Sequence, residues 1–108
     1  MNLSLAEECD AAIRTPLVDM TIGQLSLLIQ QWADLVRVMP RAISTLAENP
    51  YIMAEHFRGD LLTNVLRVNA DYWVENQDQW LTVHSILHEI EAISAEISDA
   101  KFAFFDLK

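Results

Sequence analysis

The stretch Asn76-Gln-Asp-Gln-Trp80-Leu-Thr-Val83-His-Ser-Ile-Leu87-His-Glu-Ile90-Glu-Ala-Ile93-Ser-Ala-Glu-Ile97 decides the fold. Trp80, Val83, Leu87, Ile90, Ile93 and Ile97 recur at steps of three and four residues, whereas Gln79, Ser85, His88, Glu89 and Glu96 fall mostly outside that stripe. The spacing predicts a long helix, capped by Asn76, with one face turned to a core made by other helices.

The same signals extend upstream. Asn69 is placed to cap a short turn carrying Tyr72 and Trp73, and Asp60, after Gly59, to cap a helix carrying Leu61, Leu62, Val65 and Leu66. From Asp34 to Glu48, the residues Leu35, Val38, Met39, Ala42, Ile43 and Leu46 keep the helical period; Pro40 removes one backbone donor, so a kink or a fresh start is expected there. Asn49-Pro50 ends that segment, and residues 51–58 read as an ordered connection pinned by Tyr51, Ile52 and Phe57. Thr21-Ile-Gly-Gln24 and Ser4-Leu-Ala-Glu7 both have capping-box spacing. The first opens a helix bearing Leu25, Leu28, Ile29 and Trp32; the second opens one running to about Ile13, before Thr15-Pro16 interrupts it. Downstream, the period stops after Asp99. Phe102, Phe104 and Phe105 then form a segment too short to assign, which either docks on the core or adds an apolar patch.

The composition fits this pattern. In 108 residues, 52% are hydrophobic and 21% charged, enough apolar surface for one core, while two glycines and three prolines are too few for the turns of a β-sandwich. The expected fold is all-α, a compact helical bundle of about five to six helices forming one domain over residues 1–108. The single cysteine, Cys9, has no partner for an internal disulfide, and the first residues lack a signal-peptide pattern. No apolar run approaches the roughly 20 residues needed to cross a bilayer. A cytoplasmic location is the expectation. Sixteen acidic against seven basic residues give a net charge of −9, which repels phosphate backbones and anionic lipid, so direct nucleic-acid or membrane binding is not expected. The charge either steers a basic protein partner or serves solubility.

Candidate chemistry is sparse. His84, His88 and Glu91 share a helix face at i, i+4 and i+7, but His88 points away from the apolar stripe, and the histidines read as solvated rather than metal-bound. Cys9 has no neighbouring base and reads as a core or boundary thiol. Gly23 and Gly59 are the only glycines, so no phosphate-binding glycine loop can be built. The aromatic residues Trp32, Tyr51, Phe57, Tyr72, Trp73 and Trp80 sit at spacings that predict core. The expectation is a binding protein without cofactor, metal or catalytic residues.

The ordered set Thr21-Ile-Gly-Gln-Leu-Ser-Leu-Leu-Ile-Gln-Gln31, Met39-Pro40, Leu46-Ala-Glu-Asn-Pro50, Phe57-Arg-Gly-Asp-Leu-Leu62, Tyr72-Trp73 and Asn76 to Trp80 resembles the immunity proteins of bacterial contact-dependent growth inhibition (CDI) systems. The resemblance covers about Thr21 to Ile93, with Arg58 where the family-like motif has proline and Gln30 where it has glycine. It implies a cytoplasmic antidote that binds the toxic C-terminal domain of a cognate effector, often a nuclease, as a monomer forming a 1:1 heterodimer. It either plugs the active site with carboxylates in place of substrate phosphates or blocks the substrate's approach. Exposed acids flanking aromatic groups, Glu48, Glu55, Asp71, Glu75 and Asp78, are the candidate contacts with a basic toxin. The competing reading is a regulatory or assembly bundle that homodimerises, using the Phe102 to Phe105 tail.

Overall fold

The computed structural model describes residues 4–106. Six α-helices follow one another: α1 (Leu5–Arg14), α2 (Ile22–Gln30), α3 (Leu35–Glu48), α4 (Asp60–Leu66), α5 (Ala70–Glu75) and α6 (Gln77–Asp106), with a 3-10 turn at Leu17–Asp19. Among the described residues there is no sheet, only an isolated bridge between Met53 and Arg58.

Three of the expected caps form where the spacing placed them. The Ser4 hydroxyl accepts the Glu7 N–H at 3.2 Å. Thr21 and Gln24 complete a reciprocal box, the Thr21 hydroxyl taking the Gln24 N–H at 3.1 Å and the Gln24 side chain taking the Thr21 N–H at 2.9 Å. The Asn69 carboxamide accepts the Tyr72 N–H at 3.2 Å and starts α5. α3 runs unbroken through Pro40, which lies on its exposed side.

α2 packs against α1, α3 and α4, and α3 also packs against α6. Leu25, Leu28 and Ile29 of α2, Val38, Met39 and Leu46 of α3, and Leu61 and Val65 of α4 are fully buried between them. Ser26, buried in that core, accepts a hydrogen bond from the Asn64 carboxamide at 2.8 Å, so its hydroxyl is not left without a partner.

The turn from α2 to α3 is made by two residues in the left-handed region, Trp32 (φ 54°) and Asp34 (φ 55°). The Trp32 N–H bonds the Ile29 carbonyl and the Ala33 N–H the Leu28 carbonyl, a helix end that usually places glycine where Trp32 stands. Asp34 then pairs with Arg37 at 2.6 Å. The Arg37 guanidinium also donates to the carbonyls of Thr15 at 2.9 Å and Ile13 at 3.0 Å, covering the open end of α1, while Arg41 donates to the Leu17 carbonyl.

Asp60 departs from the expected cap. The N-cap of α4 is Gly59, whose φ of 88° is natural only to glycine. The Asp60 side chain turns back, is 3% exposed, and accepts the N–H groups of Ala54 at 2.7 Å and of Glu55 and His56 at 2.9 Å. It therefore pins the loop in place of Tyr51 and Phe57, which are exposed. Burial alone would push the Asp60 carboxyl up, but the N–H groups of His56, Ala54, Glu55 and Phe57 together hold it below the ordinary carboxylate value.

α6 differs most from expectation. Its buried stripe uses Val83 and Ile86, with Leu87 and Ile90 half-buried; Trp80 is 46% exposed, and Ile93 and Ile97 have left the core altogether. The helix continues through the phenylalanines to Asp106. At 30 residues it is about 45 Å long, and its second half projects from the bundle. The radius of gyration of 16.7 Å exceeds the roughly 13 Å of a fully compact chain of this length.

Two stability predictions follow from the polar clamps. Arg37→Ala strips the Ile13 and Thr15 carbonyls of their side-chain donor and should cost about 1–3 kcal/mol, read as a lower urea midpoint at unchanged slope. Asp60→Ala leaves three loop N–H groups unsatisfied and should cost about 2–4 kcal/mol. Because the folded Asp60 pKa is depressed, its contribution is present above the unfolded value of about 4 and is lost as pH falls through the folded value. Asp60→Asn should therefore flatten the acid limb of a stability-against-pH curve.

Candidate functional site: an aromatic shoulder with an acidic rim

The short α5 and the first turns of α6 form a rigid corner. The Tyr72 hydroxyl, deep in the corner, donates to the Gln79 side-chain oxygen at 2.5 Å, and burial pushes this phenol up from its ordinary value. Asn76, expected to cap α6 through its side chain, instead donates its carboxamide N–H to the Tyr72 carbonyl at 2.8 Å, holding the end of α5. Trp73 meets Tyr72 edge-on at 5.5 Å, and its indole N–H donates to the Val68 carbonyl at 3.1 Å, so the ring's orientation is fixed. Trp80 stacks on His84, with ring centroids 5.1 Å apart.

These rings line two shallow hollows. One, of about 350 Å3, lies among Trp73, Val74, Gln77, Trp80 and Leu81. The other, of about 300 Å3, lies on the far side of Trp73 and Trp80 against Leu66, Val83 and Leu87. Val74 is 67% exposed, Leu81 55% and Leu66 45%, so the shoulder is a continuous apolar surface with two partly open indoles. The expectation that the aromatic residues form core holds for Tyr72 alone; Trp73 is half-buried, and Trp32, Tyr51, Phe57 and Trp80 are exposed. The sequence did carry a trace of this: Val74 and Leu81 each directly follow a tryptophan, so a helix cannot turn both members of the pair to one core.

Two of the candidate carboxylates, Glu75 and Asp78, lie beside it. Asp71 and Glu75 stand one turn apart on α5, and Glu75 and Asp78 line a polar hollow that shares Val74 and Gln77 with the apolar one. Between Arg67 and Lys101 the chain has no lysine or arginine, so nothing cationic on this segment neutralises them. Glu48 and Glu55 line none of these three hollows. Glu48 ends α3, and Glu55 sits in the loop after it, beside His56 and against a hollow formed with Glu8, Thr21 and Gln24.

An open apolar floor with carboxylates along one edge suits a protein surface that offers an apolar side chain among cationic ones. Among the described residues no three His, Cys, Asp or Glu side chains are grouped to hold a metal ion; His84, one of the metal candidates, faces Trp80. No helix of the described residues is long and apolar enough to cross a membrane. Cys9 is free and half-buried against the core.

Neither a curated protein nor a solved structure matches the chain. A family model does, over residues 1–83, which takes in α1 to α5 and the first part of α6 with both tryptophans of the shoulder; the chain belongs to the family of CDI immunity proteins.

Proposed function

We propose that this immunity protein neutralises the C-terminal toxin domain of a cognate CDI effector by binding it through the α5–α6 shoulder. The observation that carries this reading is a hydrogen-bonded indole and a stacked, partly exposed one, with the carboxylates Glu75 and Asp78 lining the adjoining hollow and Asp71 one turn from Glu75 on α5. Tryptophan is the residue type most often found at the energetic centre of protein interfaces, and a rim of one charge sign sets orientation and encounter rate. The net charge of −9 suits a basic partner, as a nuclease toxin would be, and opposes binding of nucleic acid itself.

The action is steric. A stable complex of one immunity chain with one toxin domain covers roughly 1,200–2,000 Å2, enough to occlude a cleft or the substrate's path without a chemical step. With the indoles seated on the toxin, the acids of the rim stand where substrate phosphates would otherwise approach its cationic groups. The complex forms in the cytoplasm, where the toxin would act.

Calorimetry with the toxin domain encoded immediately upstream tests the assignment. Trp80→Ala should weaken binding about 30-fold or more without lowering thermal stability appreciably, because the ring is half outside the core. Glu75→Lys with Asp78→Lys should weaken it about 10- to 100-fold and reduce its dependence on salt. Glu48→Lys and Glu55→Lys should each change affinity less than about threefold. Unchanged affinity in the shoulder variants would remove the shoulder from the interface, and no binding by the unaltered chain would remove this toxin as the partner.

A further inference from the structure

The second half of α6 carries a seam that the bundle does not cover. Val83, Ile86, Ile90, Ile93, Ile97, Ala100 and Phe104 succeed one another at alternating steps of three and four, the a and d positions of three heptads. Val83 and Ile86 are buried in the bundle and Ile90 is half-buried at its edge; beyond it, Ile97 is 60% and Phe104 68% exposed. The seam thus runs out of its own core at Ile90 and continues for about 24 Å along residues 91–106, where every residue whose burial is described is exposed. The family match, ending at residue 83, stops before this segment.

We infer that this seam pairs with the same seam of a second copy of the chain, the two tails lying antiparallel about a two-fold axis between Ile97 and Ala100. Three features select this occupant. First, antiparallel pairing sets Ile97 against Ala100 and Ile93 against Phe104, a large side chain facing a small one at the centre and a ring facing an aliphatic chain at each end. The surface is therefore self-complementary in the way a two-fold interface requires. Second, the bundle lies on the seam side of α6 up to Ile90. Parallel pairing would drive the two bundles into the same space, whereas antiparallel pairing puts them at opposite ends, each tail tip reaching the other bundle near its Ile90. Third, Lys101, the one cation of the described tail, comes opposite Ser94 and within reach of Glu91 on the other copy, while the remaining tail charges are acidic and disfavour anionic lipid as a cover. The contact is short, burying on the order of 1,000 Å2, at the lower end for a specific interface, so assembly belongs to the micromolar range.

Sedimentation velocity on the full chain from about 1 to 200 µM is the test. Conversion from monomer to dimer within that range is expected. Ile97→Glu should stay monomeric throughout while keeping its thermal midpoint, since Ile97 is outside the core, and Ser98→Lys, off the seam, should still dimerise. Spin labels at Asp106→Cys on a Cys9→Ser background should lie about 25 Å apart. A chain that stays monomeric, an Ile97→Glu variant that still dimerises, or labels about 10 Å apart would each overturn the antiparallel pairing.

Discussion

The N-terminal half of this protein hangs on Arg37. A helix end exposes carbonyls that need donors, and α1 ends at Thr15-Pro16, where the chain cannot supply them from its own next turn. Arg37, in the first turn of α3, brings a planar set of N–H groups to the Ile13 and Thr15 carbonyls while pairing with Asp34 behind it. This fixes α3 against the end of α1 and leaves α2 only the space between them. The left-handed residues at Trp32 and Asp34 are part of the same constraint, because α2 must stop and α3 must start within four residues for Arg37 to arrive in place. The left-handed backbone costs about 1–2 kcal/mol per residue, which the charge-assisted bonds of Arg37 are of a size to offset. Asp60 plays the complementary part in the second half, an anion that organises a loop as the cation organises a helix end.

With both junctions held by polar clamps, the aliphatic residues of α2, α3 and α4 suffice to fill the interior, and most of the aromatic residues have no place in it. The consequence is visible at the shoulder. Trp73 is oriented by a hydrogen bond to a backbone carbonyl and Trp80 by a stacked histidine, neither of which is needed to bury a ring. Fixing an exposed indole before a partner arrives lowers the ordering cost at binding, which is how a small surface gains affinity. On the proposed function, the carboxylates beside it act at longer range and set the rate and orientation of approach.

Much of this could be read from the sequence, and the failures have physical causes. Ser4, Thr21 and Asn69 cap as their spacing predicts because each has one nearby set of free N–H groups. Asp60 had two: the helix ahead and the loop behind, and the loop offered three donors at once. Pro40 leaves α3 intact because one missing donor on a solvent-facing side is cheap compared with ending a helix whose apolar face is buried. On α6 the sequence admits two adjacent stripes. The choice between Trp80 and Ile86 is made by the bundle, which has room for an aliphatic side chain there. The acids Glu75 and Asp78 could be proposed from their aromatic neighbours, but that they line one hollow and Glu55 another depends on how α5 and the loop before α4 are placed.

On the proposed toxin interface and the proposed tail pairing, the continuous α6 joins two surfaces that should respond oppositely to salt. Trp80 and Ile90, where the tail of a second copy would end, are ten residues apart on one helix, about 15 Å, so the shoulder and the tail seam are neighbouring but separate surfaces. On the proposed function, toxin binding brings opposite charges together and weakens as salt screens them. Tail pairing brings together two chains of net charge −9 and strengthens as the same screening reduces their repulsion, since the seam itself is apolar. A basic toxin on each shoulder would lower the charge of both chains and so favour pairing, a coupling that acts through the field of the whole molecule rather than through any moved side chain. Raising salt from about 0.05 to 0.5 M should then loosen the heterocomplex and tighten the dimer, and toxin should promote the dimer most at the low-salt end, where repulsion between the chains is strongest.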